Sequence, residues 1–137
     1  MKRRNFIKNS ALGIAVASTG LSSAFANTQK PMKETIAHYV LFWLRPDLSA
    51  QEVASFTGFF EELNKIPSKL SLSYGPAAKT NPRDVVDNTF SYNLLVEFKD
   101  LTDLGIYEVH PIHLNAIEKY KHLWTKVVVH DSVLQKA

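Results

Sequence analysis

The run His38-Tyr39-Val40-Leu41-Phe42-Trp43 holds no Asp, Glu, Lys or Arg and no glycine or proline. Aromatic and β-branched residues dominate the stretch from Thr35 to Leu44, and Arg45-Pro46-Asp47 ends it, which predicts a strand. Successive side chains of a strand point to opposite faces. His38, Val40 and Phe42 share one face, and Tyr39, Leu41 and Trp43 the other. A strand wetted on one side alternates apolar with polar residues; this one is apolar on both. Whatever the chain folds into must cover both faces of this strand.

The rest of the chain supplies candidates for one cover. Ser49-Ala50-Gln51-Glu52 has the form of a capping box. Val53, Phe56, Phe59, Phe60, Leu63 and Ile66 then recur at three- and four-residue spacing, which predicts one amphipathic helix to about Lys65, stopped by Pro67. A second strand is expected over Leu70–Tyr74, ended by Gly75-Pro76, and a polar loop over Ala77–Asn88. A third strand follows over Phe90–Phe98, with Tyr92, Leu94, Val96 and Phe98 on one face. Asp100 or Thr102 caps the next helical segment. A helix from Pro111 to about His122, a strand over Trp124–His130 and a tail from Asp131 complete the chain. The order strand, helix, strand, strand, helix, strand is the ferredoxin-like α+β unit, βαββαβ. Its helices cover one sheet face. The other, with Tyr39, Leu41, Trp43 and Leu95, needs a second chain, so a homodimer joined through the sheet face as a dimeric α/β barrel is expected.

The first 26 residues read as an export signal: Lys2, Arg3, Arg4 and Lys8 precede a short apolar core, and Ala24-Phe25-Ala26 is a small-x-small cleavage site. Arg3-Arg4-Asn5-Phe6-Ile7-Lys8 fits the twin-arginine pattern; an ordinary secretory signal is the alternative. The core is too short to span a bilayer, so no membrane attachment is expected of the mature form, and a bacterial periplasmic or secreted location is. Residues 27–34 are a polar leader and 35–137 the folded domain. Charge changes with this division. The signal holds four of the 16 Lys+Arg and none of the 13 Asp+Glu, leaving 12 basic against 13 acidic side chains. The net +3 of the whole chain therefore belongs to the signal, and no nucleic-acid surface is expected. There is no cysteine, which excludes disulfides, thiolate catalysis and cysteine-bound metal.

Chemistry concentrates in Tyr107-Glu108-Val109-His110-Pro111-Ile112-His113. Pro111 lacks an N–H and favours the first turn of a helix. One helix should therefore end near Val109 and another begin near Pro111, with Tyr107 in the last turn of the first and His113 in the first turn of the second. An imidazole of ordinary pKa acts as a general base near neutral pH, and a buried phenol donates to a developing oxyanion. The structural alternative has His113 bonded to a backbone carbonyl at the kink and Tyr107 closing the core. His110-x-x-His113 offers two metal ligands but no third at fixed spacing, so no metal is expected. No Gly-rich phosphate loop, serine elbow or carboxylate pair with motif context is present, and no cofactor is expected.

Taken together, these residues resemble the stress-responsive α/β-barrel (Dabb) family over roughly Ile36–Asp131. The shared marks are His38 opening an aromatic-aliphatic strand, Leu63…Ile66-Pro67, Gly75, the Tyr107…His110-Pro111…His113 run, and Asp131. The resemblance implies the dimeric barrel. In a plant polyketide cyclase of the family, the tyrosine and second histidine of this run serve a cofactor-free aldol cyclisation, and a histidine opens the first strand. Carried over, Tyr107, His113 and His38 are the candidate catalytic residues. Val40, Phe42, Phe56, Phe59, Leu94, His110, Trp124 and Val127 would line an apolar ligand pocket, which Phe59 and Phe60 make smaller. Three functions follow as expectations: binding of a small hydrophobic or aromatic molecule between sheet and helices, a cofactor-free lyase, cyclase or isomerase, and, from other dimeric α/β barrels, a small monooxygenase or haem-binding role.

Overall fold

The computed structural model describes residues 33–137, so the expected signal and most of the polar leader lie outside the described residues. The chain folds as the expected ferredoxin-like α+β unit. Strand β1 (Thr35–Leu44) is followed by helices α1 (Ala50–Ser55) and α2 (Thr57–Asn64) and strands β2 (Ser71–Pro76) and β3 (Tyr92–Phe98). Helices α3 (Leu101–Glu108) and α4 (Pro111–Tyr120), a short 3-10 turn over Lys121–Leu123 and strand β4 (Trp124–Leu134) close the order. The four strands form one antiparallel sheet in the order β2-β3-β1-β4.

The two faces of β1 differ as its sequence requires. Ile36, His38, Val40 and Phe42 are buried beneath the helices, with Leu94, Val96 and Phe98 of β3 beside them. On the opposite face Tyr39, Leu41, Trp43, Leu95 and Val128 are only half-buried. Phe56, Phe60, Leu63 and Ile66 descend from the first helical layer and are fully excluded from solvent. Phe42 lies at the centre of this aromatic packing, with its ring edge-on to Phe56, Phe59 and Phe60 at 5.3, 5.6 and 5.8 Å between centroids. Such edge-to-face pairs add about 0.5–1.5 kcal/mol each beyond burial.

Local signals act where they were read. Ser49 Oγ accepts from the Glu52 N–H at 3.2 Å, and Glu52 Oε2 accepts from the Ser49 N–H at 2.8 Å, completing the capping box. Asp100 Oδ1 accepts from the Asp103 N–H at 2.9 Å and starts α3. Four elements depart from the sequence reading, the third strand only in beginning at Tyr92 rather than Phe90. The single helix expected to Lys65 is two, broken at Phe56, where the bonds from Phe56 N–H to Val53 and from Phe59 N–H to Phe56 tighten to three-residue spacing. Two residues on, Gly58 meets the Tyr120 hydroxyl so closely that any Cβ there would clash. The second strand runs on through Gly75 and Pro76, which β2 tolerates because it is an edge. The last strand does not stop at His130. It continues to Leu134 because β1 begins at Thr35 and the two pair from end to end, so Asp131 lies directly opposite His38.

Candidate functional site

Between the helix-facing side of the sheet and α2, α3 and α4 lies a cavity of about 240 Å³. Its walls divide by chemistry. Val40, Phe42, Leu94 and Val127 from the sheet, Phe59 and Leu63 from α2, and Trp124 make one part apolar. His38, Tyr107, Glu108, His113 and Asp131 gather in the other. An apolar cavity of about 150 Å³ holds benzene, so this one has room for a molecule somewhat larger.

The helix break brings Tyr107 and His113 together. Val109 ends α3 and Pro111 opens α4, while His110 between them takes an extended conformation. The rings of Tyr107 and His113 meet across this break with centroids 4.8 Å apart. Tyr107 is fully buried, and its hydroxyl has no hydrogen-bond partner among the described residues. A buried donor that stays unsatisfied costs about 1–3 kcal/mol. Burial pushes the Tyr107 pKa well above the ordinary phenol value, which keeps it a proton-bearing donor.

His113 is held by its other edge. Its Nδ1 lies 3.0 Å from the Glu108 carbonyl oxygen. A carbonyl only accepts, so Nδ1 carries the proton and Nε2 of the neutral ring is an acceptor. Burial lowers the His113 pKa; the Glu108 carbonyl acts the other way, and His38 adds to the lowering. The ring is therefore biased toward the neutral, proton-accepting form. The backbone bond expected of a structural histidine is present, and it leaves the second nitrogen free of hydrogen bonds within the described residues.

His38 enters from β1. It is buried, and its Nδ1 lies 2.6 Å from Asp131 Oδ1 on β4. The Tyr107 ring stands edge-on to it, 6.0 Å between centroids.

Of the pocket residues read from sequence, Val40, Phe42, Phe59, Leu94, Trp124 and Val127 lie on the cavity wall with His38, Tyr107 and His113. Phe56 and His110 do not. Phe56 sits behind the wall, stacked on Phe59 at 5.6 Å and wholly buried. His110 is turned to the backbone, where its Nδ1 accepts from the Ile112 N–H at 3.1 Å and caps α4. Leu63, Glu108, Ile117, Val129 and Asp131 also line the cavity, although sequence reasoning does not single them out for it. Leu63 follows Phe59, and Ile117 follows His113, by four residues, the spacing of one helix face. Val129 and Asp131 continue the alternation from Val127; Val129 lies inside the expected strand Trp124–His130, and Asp131 lies just beyond its expected end. Among the described residues no three His, Asp or Glu side chains cluster as a metal site.

The sheet order, the helix pair broken at a proline and the cavity between sheet and helices define a ferredoxin-like α+β protein. Residues 36–134 match the Stress responsive A/B Barrel Domain, Dabb, and the chain belongs to that family. No curated protein matches it significantly in sequence. Solved structures do. A dimeric ferredoxin-like protein of unknown function from Bacteroides fragilis is 25% identical, with 72% of this chain and 94% of that one covered and a TM-score of 0.56. A Dabb-family protein from Mesorhizobium loti is 19% identical over 75% of this chain and 99% of its own, TM-score 0.61. The hydroxynitrile lyase of Passiflora edulis is 18% identical over 77% of this chain and 97% of its own, TM-score 0.64.

Proposed function

We propose that the domain binds a small apolar molecule bearing one oxygen function and moves a proton on it with its own side chains, as a lyase or isomerase. The observation that carries this reading is the pairing, ring against ring, of His113 with Tyr107, a cavity-lining residue whose buried hydroxyl is unpartnered among the described residues. His113 takes the proton through Nε2, and Tyr107 donates a hydrogen bond to the oxygen on which charge develops. For a lyase acting on a carbon bearing hydroxyl and a leaving group, His113 removes the hydroxyl proton and the bond to the leaving group breaks. The departing fragment keeps the electron pair and recovers the proton from the His113 imidazolium. The product is a carbonyl compound. The hydroxynitrile lyase among the similar folds is consistent with this class of step.

The test has two stages. Protein-observed NMR with small ketones, alcohols and cyanohydrins is expected to shift resonances of Tyr107 and His113. A cyanohydrin panel is then expected to release aldehyde with wild type and not with His113→Ala. Binding without turnover in either protein reduces the function to ligand capture, and absence of both removes the reading.

Two further parts of the proposal concern setting. The half-buried apolar face with Tyr39, Leu41, Trp43 and Leu95 supports pairing with a second copy, and the Bacteroides fragilis protein of this fold is described as dimeric. Arg3-Arg4-Asn5-Phe6 and the Ala24-Phe25-Ala26 site support export with removal of residues 1–26. Intact mass of the protein from a periplasmic extract tests the latter: a chain starting at Asn27 is expected, and an uncleaved cytoplasmic chain overturns it.

A further inference from the structure

The proton-transfer reading uses His113 and Tyr107 and leaves the other buried histidine of the cavity without a role. His38 and Asp131 are paired by backbone register, directly across β1 and β4, on the helix-facing side that also carries Val40 opposite Val129. Side chains directly opposite on one sheet face have Cβ atoms about 4.5–5.5 Å apart. That gap suits the short reach of an aspartate, and the 2.6 Å bond from His38 Nδ1 to Asp131 Oδ1 closes it. The imidazole is nearly enclosed, with 10% of its side chain exposed, whereas the carboxylate is 46% exposed. The ring is further held edge-on by Phe98 at 6.5 Å and Tyr107 at 6.0 Å between centroids. Packing therefore sets the plane of the ring, and the carboxylate sets which nitrogen bears hydrogen.

We propose that Asp131 is a positioning residue that holds His38 with its proton on Nδ1, so that Nε2 stands as a second proton acceptor in the cavity beside His113. An ionised carboxylate accepts and never donates, so the nitrogen facing it must be the N–H. His38 Nε2 makes no hydrogen bond within the described residues, and the ring lines the cavity. His113 reaches the same tautomer by a different anchor, the Glu108 carbonyl. The site thus pairs two acceptor nitrogens, each ring anchored through its other nitrogen by protein, with the tyrosine donor. The role in catalysis rests on the proton-transfer reading; the tautomer does not, and the two are measured separately.

Nitrogen-15 spectra of histidine-labelled protein above about pH 8, where an imidazole of ordinary pKa is neutral, report the tautomer of each ring. Wild type is expected to show His38 and His113 both protonated on Nδ1. In Asp131→Ala the His38 signals are expected to move to a mixture dominated by the Nε2–H form, while those of His113 stay. Asp131 lies on an exposed edge strand, so the variant is expected to fold, which unchanged His113 signals confirm in the same spectrum. Identical His38 nitrogen shifts in wild type and Asp131→Ala overturn the positioning role, whatever the activity. With a substrate in hand, Asp131→Ala is expected to lower kcat about a hundredfold, the lower range for a general base, with KM little changed. A changed tautomer with unchanged kcat overturns the proton-acceptor role of His38 and leaves His113 as the base.

Discussion

Tyr107 and His113 face one another across the break between α3 and α4, ring centroids 4.8 Å apart, and neither side chain exhausts its hydrogen-bonding capacity in the fold. The tyrosine is at the end of one helix and the histidine in the first turn of the next. His110 and Pro111 make that approach possible: the extended residue turns the chain, and the proline begins α4 where no N–H is required. The site is a consequence of how one helix stops and another starts.

If the Tyr107 hydroxyl is kept for a ligand, removing it should help the fold. Tyr107→Phe is expected to leave stability unchanged or raise it by about 1 kcal/mol, because an unsatisfied buried donor is lost and the ring remains. The same variant is expected to lose ligand affinity or turnover. Urea denaturation checks the first part, and a loss above about 1 kcal/mol would show a hydrogen bond to the fold itself.

His113 should impose a pH dependence with a defined sign. Its folded pKa is lowered, chiefly by burial, so below the unfolded value of about 6.5 the unfolded chain takes up the proton more readily. Stability is therefore expected to fall as pH drops from about 6.5 toward the folded pKa, then level off as far as this group is concerned. Carboxylates such as Asp100, held low by the Asp103 N–H, add their losses only nearer pH 4. Melting curves of wild type and His113→Ala across that range separate the two: the slope near pH 6 is expected to flatten in the variant.

Much of this arrangement could be read from residue order alone, and the parts that could not share a cause. The limits of β1, the capping box at Ser49 and the break before Pro111 depend on residues a few positions apart. The break at Phe56 depends on local backbone bonding that a stripe of phenylalanines does not reveal, and the close packing of Gly58 on Tyr120 joins residues far apart in sequence. The extension of β4 past His130 depends on β1 offering partners as far as Thr35, against the low strand preference of Asp131. That pairing alone brings Asp131 to His38. Likewise, helical spacing puts Phe56 and Phe59 in the core but cannot tell which of them borders the cavity.

The rim of the cavity gives a substitution that should act on the ligand and spare the fold. Val129 lines the cavity yet is 47% exposed on the outer strand. Val129→Phe is expected to obstruct the cavity and weaken ligand binding at least about tenfold, with stability changed by less than about 0.5 kcal/mol, the usual range for surface substitutions. Titration calorimetry with any ligand found by NMR, alongside a melting curve, checks both.

The open face of the sheet makes a separate claim. Leu41 is half-buried there, between Asn93 and Val128 on the neighbouring strands. Leu41→Asp is expected to convert a dimer to a monomer in light scattering, because pairing would bury an unmatched carboxylate. A dimer of unaltered affinity would mean that copies join through another surface.

Exchange of α-hydrogens in deuterated water tests the central claim most directly, because it detects proton transfer without knowledge of the natural substrate. Small apolar ketones are incubated with wild type, His113→Ala and Tyr107→Phe, and deuterium incorporation is followed by NMR. The account expects accelerated exchange with wild type, loss of it with His113→Ala and a marked reduction with Tyr107→Phe. Equal rates in all three, for ketones that NMR places in the cavity, would contradict it.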